Sequence, residues 1–322
     1  MKQIIVSGAA GFIGSRFVEF LCEKGFSVIA LGRRDLHTLT KSKQQKLRDC
    51  TYISIDMADI GRLPSLLHQS GIRLHEDCCF FNLAWGGKTG LSDLDVDAQM
   101  MNVAWSEAAL HVSKEIGCKK FIQMGTMEEA FALEYLRLNH NFETKYNRHL
   151  IYSVAKLAAK RALTVISSEL GIEFIYVLHS HVMGPGDEKD SFLQVTLRKL
   201  INEEELCFSS GEQYFDVISL EDCVHGFFLI FQKGKADNIY WVGSGDARPL
   251  KDYVERMYKA YPSGQKMRFG ELPYNDICLD KSVFDIGNLA AHTGYYPRFS
   301  FEETVSVLHE HLLSGTGEGN LR

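Results

Sequence analysis

Ile4-Ile5-Val6-Ser7-Gly8-Ala9-Ala10-Gly11-Phe12-Ile13-Gly14 is the stretch that decides the fold. Ile4–Val6 is a short β-branched run that halts at Ser7-Gly8, as a buried parallel strand does. Gly8, Gly11 and Gly14 then fall at G-x-x-G-x-x-G spacing. From Phe12 onward apolar residues return at helical spacing (Phe12, Ile13, Phe17, Phe20, Leu21), and Gly25 follows as a stop. A strand, a glycine turn and a helix in direct succession let backbone N–H groups and a helix N-terminus approach a pyrophosphate with no side chain between. Gly8, Gly11, Phe12, Ile13 and Gly14 are therefore the expected cradle of a dinucleotide. A glycine triplet alone is a weak signal, but here its context is the one the mechanism requires.

Further strands are predicted at Phe26–Leu31, Tyr52–Ile55, Cys78–Leu83, Phe121–Met124 and Phe174–Leu178. Long helices are predicted at Asp97–Ile116 and Tyr152–Leu170. This alternation implies βαβ units and a doubly wound parallel α/β sheet covered on both faces. Beyond Ser180 the alternation weakens. Met183-Gly184-Pro185-Gly186-Asp187 signals a loop, Phe192–Ile201 and Val224–Phe231 read as helices, and Asn238–Val242 as a strand. From about Gly245 shorter mixed structure is expected. The implied organisation is a dinucleotide-binding domain over residues 1–180 and about 215–245, with a smaller, partly interleaved substrate-binding lobe over about 181–214 and 246–322.

The 322 residues are 45% hydrophobic and 24% charged, with a formal net charge of −6. Mixed signs along the chain argue against a nucleic-acid partner held by a basic surface. Eight cysteines form no CxxC pair, and no Cys/His cluster has metal-ligand spacing, so reduced core thiols in a cytoplasmic protein are expected and no metal. No signal-peptide pattern and no bilayer-spanning run is present. Ser314–Arg322 is Gly-rich, polar and expected to fray.

The end of the second strand, where such folds meet the adenosine ribose, reads Leu31-Gly32-Arg33-Arg34. Two guanidinium groups suit a 2′-phosphate and favour NADP over NAD; a solvated charge pair is the alternative. Asp56 either accepts from the adenine amino group or caps the next turn.

Tyr152-Ser153-Val154-Ala155-Lys156 places a phenol and an ammonium one turn apart on one helix face. The ammonium is expected to lower the Tyr152 pKa and make it a proton donor and acceptor near neutrality. With the glycine loop, this pair makes the chain resemble the extended short-chain dehydrogenase/reductase superfamily, the NAD-dependent epimerase/dehydratases. Asn82-Leu83-Ala84, Asn102, Thr126, Gly184-Pro185-Gly186-Asp187, Asp216 to Asp222 and Gly294-Tyr295-Tyr296-Pro297 carry the resemblance across nearly the whole chain.

The resemblance implies a Rossmann domain and a set of roles. Tyr152 is the general acid/base, Lys156 holds the nicotinamide ribose and tunes Tyr152, and Thr126 hydrogen-bonds the reacting oxygen. Met57, Leu83, Ala84, Asn102 and His181 join Arg33, Arg34 and Asp56 around the cofactor. Trp85, Met127, Glu128, Gly184 and Asp187 line the nucleotide-sugar. Three positions depart from the pattern. Tyr214-Phe215 stand where an Arg often precedes Asp216, His181 where Asn is common, and Met183 where Tyr is common. Arg198, Arg248 and Arg268 are alternative basic contacts or plain surface charges.

Gly125-Thr126-Met127-Glu128-Glu129 bears on the reaction. Sugar-nucleotide dehydratases typically read Thr-Asp-Glu, and a thioether at Met127 cannot act as the acid. Glu128 is then a catalytic group, or Glu128 and Glu129 are ligands of substrate hydroxyls or loop carboxylates. The proline-free segment from Glu128 to Leu150 suggests a helical insert. Similarity is closest to the reductases that make CDP-linked deoxysugars such as CDP-abequose and CDP-paratose. The expected activity is NADPH-dependent reduction of a nucleotide-linked keto-sugar at carbon 4, in deoxysugar and surface polysaccharide (lipopolysaccharide) biosynthesis. A 4-epimerase or 4,6-dehydratase with tightly bound NAD(P) is the alternative, and a non-enzymatic cofactor-binding regulator a third class. A homodimer is also implied, with Met100, Met101, Trp105, Leu157 and Leu163 either pairing between subunits or facing their own sheet.

Overall fold

A computed structural model describes residues 3–75, 77–87, 90–135, 149–188, 191–274 and 277–315. The chain opens with β1 (Gln3–Ser7), α1 (Phe12–Glu23), β2 (Ser27–Gly32), α2 (Lys41–Lys46), β3 (Thr51–Ser54) and α3 (Leu63–Gln69). It continues through β4 (Cys79–Asn82), α4 (Val96–Glu115), β5 (Lys120–Met124), α5 (Glu128–Tyr135), α6 (Leu150–Leu170) and β6 (Glu173–His179). Then come β7 (His181–Met183), α7 (Phe192–Ile201), β8 (Leu206–Cys207), β9 (Tyr214–Phe215), β10 (Val217–Ser219) and α8 (Leu220–Lys233). The last elements are β11 (Asn238–Val242), β12 (Arg248–Pro249), α9 (Leu250–Ala260), β13 (Met267–Arg268), α10 (Gly287–Thr293) and α11 (Phe301–Gly315).

Seven strands form one sheet in the order β11-β6-β5-β4-β1-β2-β3, and every pair in it is parallel. The two-residue period of β1 shows why both faces are covered: Ile4 and Val6 enter one core and Ile5 the other, all three fully buried. On the first face Phe17 of α1 meets Phe81 edge-on at 4.8 Å and Phe227 of α8 at 5.7 Å. On the second, Leu110 of α4 and Leu163 of α6 pack over Phe121 and Phe174. The doubly wound sheet expected from the alternation is present.

A third core joins Leu193 and Leu197 of α7, Val217 of β10, Tyr253 and Met257 of α9, and Leu308 of α11. It is separate from the two cores on the faces of the large sheet. The chain enters it without a turn of helix: β6 ends at His179 in the large sheet, and β7 begins at His181 and pairs with β10. Ser180 is the joint. Its amide donates to the Val242 carbonyl at 3.0 Å, and its hydroxyl accepts from the Trp241 indole at 2.7 Å and donates to buried Asp216. The chain then returns to the large sheet as α8 and β11, and α10 packs beside them.

Some sequence expectations need correction. The region after Gly245 holds an 11-residue α9 and a 15-residue α11 rather than only short mixed structure. In α9 the buried stripe Tyr253, Val254, Met257 is narrow and set among charges. Ser314 lies in α11 instead of fraying, and residues 316–322 are outside the described set. Cys78, Cys79, Cys118 and Cys223 are buried, but Cys278 is exposed rather than in the core. Leu163 faces its own sheet and is fully buried there, while Met100 and Met101 are exposed.

Candidate active site

The glycine loop sits at the carboxyl edge of the sheet and fits a pyrophosphate. Gly8 has φ +68°, and a Cβ on it would lie 2.8 Å from the Ala84 amide nitrogen. A Cβ on Gly14 would lie 2.2 Å from the Gly8 carbonyl oxygen, so strand and helix close up as tightly as backbone allows. Helix α1 has no side-chain cap and no acidic residue in its first turn. The amides of Phe12, Ile13 and Gly14 therefore keep the free donors of a helix start, unopposed by negative charge. A polar ladder fixes the neighbouring strand ends. Asn82 donates to Gln123 at 2.7 Å, and the Ala84 amide to the Ser7 hydroxyl at 3.2 Å.

At the adenosine end, β3 holds the backbone after β2. The Tyr52 hydroxyl donates to the Arg34 carbonyl at 2.7 Å and Ser54 to that of Arg33 at 3.3 Å. Both guanidinium groups are thereby left pointing outward: the Arg33 side chain is 77% exposed, 4.0 Å from the Asp56 carboxylate. Asp56 caps the next turn, accepting from the Ala58 amide at 3.0 Å. Met57 packs against the core of the second face, and Leu83 against that of the first.

The reacting face gathers at the ends of β4 and β5 and the first turn of α6. Thr126 is buried after Met124-Gly125, and its hydroxyl accepts from the Glu128 amide at 3.3 Å. Lys156 is buried, donates to the Met124 carbonyl at 2.9 Å, and stands 5.8 Å from the Tyr152 ring centre. The i, i+4 spacing thus does bring phenol and ammonium to one face. Its expected electrical effect is not what the structure gives. Burial pushes Tyr152 well above its ordinary pKa, opposed by the neighbouring Thr126 side chain and reinforced by Glu128. Burial also brings Lys156 down to about 7. Desolvation outweighs the pairing, so the phenol is held protonated.

Trp85 stands edge-on to Tyr152 at 6.1 Å and donates to Gln99 at 2.8 Å. Asn102 is spent on the same loop, accepting from the Gly86 amide at 2.6 Å and donating to its carbonyl at 3.2 Å. Both residues shape the wall beside Lys156. Met127 packs among Phe131, Trp241 and Phe284, so its side chain belongs to a core. His181 lies against Phe215 at 5.4 Å, and burial lowers its pKa to about 4.

Sequence reasoning missed two residues here, His149 and Tyr176. His149 lies 2.8 Å from the Glu128 carboxylate, one helical turn before Tyr152, a spacing that could have flagged it. Glu129 and Tyr176 form a buried pair behind Thr126, their oxygens 2.7 Å apart. Of the insert expected between Glu128 and Leu150, Glu128–Tyr135 is helical, and residues 136–148 lie outside the described set.

The remaining candidates are more distant. Gly184 is buried, where a Cβ would meet Leu220 at 2.8 Å, and the Asp187 carbonyl accepts from Gln194. Arg248 is paired with Asp246 and Asp252 at 2.7 and 3.1 Å, and Arg268 with Glu205. Asp216 and Asp222 are structural. Asp216 accepts from Ser180 and Ser244, and Asp222 accepts from the amides of Arg298 and Phe299, both at 2.9 Å. Among the described residues there is no His, Cys, Asp and Glu cluster suited to a metal, and no helix long and apolar enough to cross a membrane.

Residues 4–243 match the NAD dependent epimerase/dehydratase family. The CDP-abequose synthase of Salmonella typhimurium is 23% identical over 97% of this chain and 98% of its own. The dTDP-4-dehydro-6-deoxyglucose reductase of Escherichia coli is 20% identical over 95% of this chain and 96% of its own. Among solved structures, the UDP-glucose 4-epimerase of Thermotoga maritima, determined with UDP-glucose, has a TM-score of 0.77 at 20% identity, covering 98% of this chain and 99% of that one.

Proposed function

The chain belongs to the NAD dependent epimerase/dehydratase family, and on that premise we propose that it is a nucleotide-sugar ketoreductase that uses NADPH. The substrate is a 4-keto-deoxysugar on a nucleotide, with CDP favoured, on a route to surface polysaccharide. One observation carries the reductive direction: the exposed Arg33 and Arg34 side chains stand at the end of β2, where two guanidinium groups suit a 2′-phosphate, and NADP recognition most naturally serves an exchanged reductant. The Tyr152 phenol is then the proton donor that reduction of a ketone needs at the oxygen.

A nicotinamide, when bound, would supply the hydride. Gly8, Gly11 and the amides of Phe12–Gly14 hold the pyrophosphate of its dinucleotide, and Arg33 and Arg34 the 2′-phosphate. Thr126 and Tyr152 hold the carbonyl oxygen between two hydroxyl groups, and Tyr152 gives its proton as the oxygen becomes an alcohol. Lys156, charged below about pH 7, stabilises the phenolate left behind and holds the nicotinamide ribose. Trp85 and Glu128 line the sugar side, with Gly184 and Asp187 toward the nucleotide. Met127, packed in a core, offers no acid beside Glu128, which weighs against loss of water as the main reaction. Similarity to CDP-abequose synthase over nearly the full length supports the deoxysugar assignment.

The large sheet is the cofactor domain and the smaller lobe the nucleotide-sugar side of the cleft, in a cytoplasmic enzyme. A homodimer would cover Val96, Met100 and Met101 of α4 and Val165 of α6, which are exposed. The test follows NADPH absorbance with a panel of CDP-, dTDP-, GDP- and UDP-linked 4-keto-sugars. Stoichiometric oxidation by one of them is expected. A tightly retained cofactor, with a rearranged or dehydrated sugar and no net oxidation, would overturn the reading.

A further inference from the structure

We propose that the ion pair between Lys43 and Glu188 is a strap across the dinucleotide cleft that sets how fast the cofactor leaves. The inference rests on the reading of the glycine loop as a dinucleotide site.

Lys43 belongs to α2, and Glu188 follows β7, 145 residues further along the chain. The ammonium donates to the carboxylate at 2.8 Å. In the sheet, β1, β4 and β5 separate β2, which leads into α2, from β6, which leads into β7. At the usual spacing of paired strands, β2 and β6 are about 19 Å apart. The ion pair closes that gap on the α1 face of the sheet. Leu39 and Leu47, which flank α2, pack there with Phe17, and Gly184 lies against Leu220 of α8 in the same core. The span therefore passes the end of β1, where the glycine loop and the start of α1 stand.

Each anchor is tied to one wall of the cleft. Gln44 of α2 donates to the carbonyls of His37 and Leu39 at 3.3 and 2.8 Å. His37 in turn lines a cavity with Tyr52 and Ser54 at the adenosine end. On the other side, Gln194 of α7 donates to the Asp187 carbonyl at 3.3 Å, which ties the residue before Glu188 to the third core. A second contact runs beside the first. Gly186, at φ +91°, lies against Lys46, whose ammonium would be 3.9 Å from a Cβ there.

The two partners are unequally exposed: the Lys43 side chain is 11% exposed and that of Glu188 65%. The carboxylate is thus the end that can let go into water. A pair of this kind slows an opening only a few-fold, which suits a cofactor that is exchanged at every turnover.

The experiment measures NADPH release with no keto-sugar present. The protein–NADPH complex is mixed with excess NADP in stopped flow, and nicotinamide fluorescence is followed. Glu188→Gln and Lys43→Met should each speed release about three- to fivefold, the worth of one partly exposed ion pair. The double variant should release no faster than the singles, since each already removes the whole contact. If Lys43 served a cofactor phosphate and Glu188 only masked it, Glu188→Gln would slow release. Slower or unchanged release in Glu188→Gln would overturn the proposal, and so would additive gains in the double variant. Wild-type protein that binds neither NADPH nor NADH would instead overturn the dinucleotide reading on which the strap rests.

Discussion

The Lys156 ammonium lies 3.8 Å from the centre of the Trp85 ring, so this buried cation is roofed by an aromatic face. That contact gives a cation–π attraction of about 0.5–2 kcal/mol but also withholds water, and burial is the largest influence on Lys156. Trp85→Ala should let water reach the ammonium and raise its pKa from about 7. A step that needs the charged amine is lost as pH rises through that value, so the alkaline limb of the rate profile should move to higher pH in the variant. A pH profile of kcat checks this, and a limb that stays in place would refute it.

Tyr152→Phe removes the proton donor and leaves the ring packed beside Trp85. Turnover should fall by about 10²–10⁴-fold, the usual worth of a positioned acid. NADPH binding, measured by fluorescence titration, should be retained.

Arg33→Ala with Arg34→Ala should separate the two dinucleotides. The side chains stand outward from a backbone pinned by Tyr52 and Ser54, so their loss should leave the sheet intact. Charged hydrogen bonds of about 1.5–3 kcal/mol correspond to roughly a 10- to 100-fold weakening of NADPH binding. NADH binding should change little, and equal losses for both would contradict a 2′-phosphate role.

Gly14→Ala places a methyl group 2.2 Å from the Gly8 carbonyl oxygen. The carbonyl is backbone and the methyl is fixed directly to it, so neither can move without opening the loop, and a destabilisation of about 1–3 kcal/mol is expected, with loss of dinucleotide binding. Chemical denaturation and cofactor titration read the two effects separately.

Much of this was legible in the sequence because it is local. The glycine spacing, the strand–helix succession and the Tyr152–Lys156 turn each lie within a dozen residues, and the structure has all three. The apolar run starts α8 at Val224, whereas the helix begins at Leu220, capped by Ser219 with Glu221 and Asp222 in its first turn. The Glu129–Tyr176 pair joins α5 to β6 across 47 residues, and no spacing rule spans that distance. The direction of the Tyr152 shift was also hidden. It depends on how much protein surrounds the phenol, and a pattern of neighbours along the chain does not report that.

The passage of β6 into β7 through Ser180 bears on biosynthesis. Six of the large sheet's seven strands are complete when residue 180 is made, but β11, the outer neighbour of β6, follows only at residues 238–242. Until then Phe174 to Leu178 form a naked, hydrophobic edge, the kind of template on which a second nascent chain can add. Any fragment that ends inside the smaller lobe keeps that edge open, so truncations between residues 180 and 238 should aggregate rather than yield a free cofactor domain.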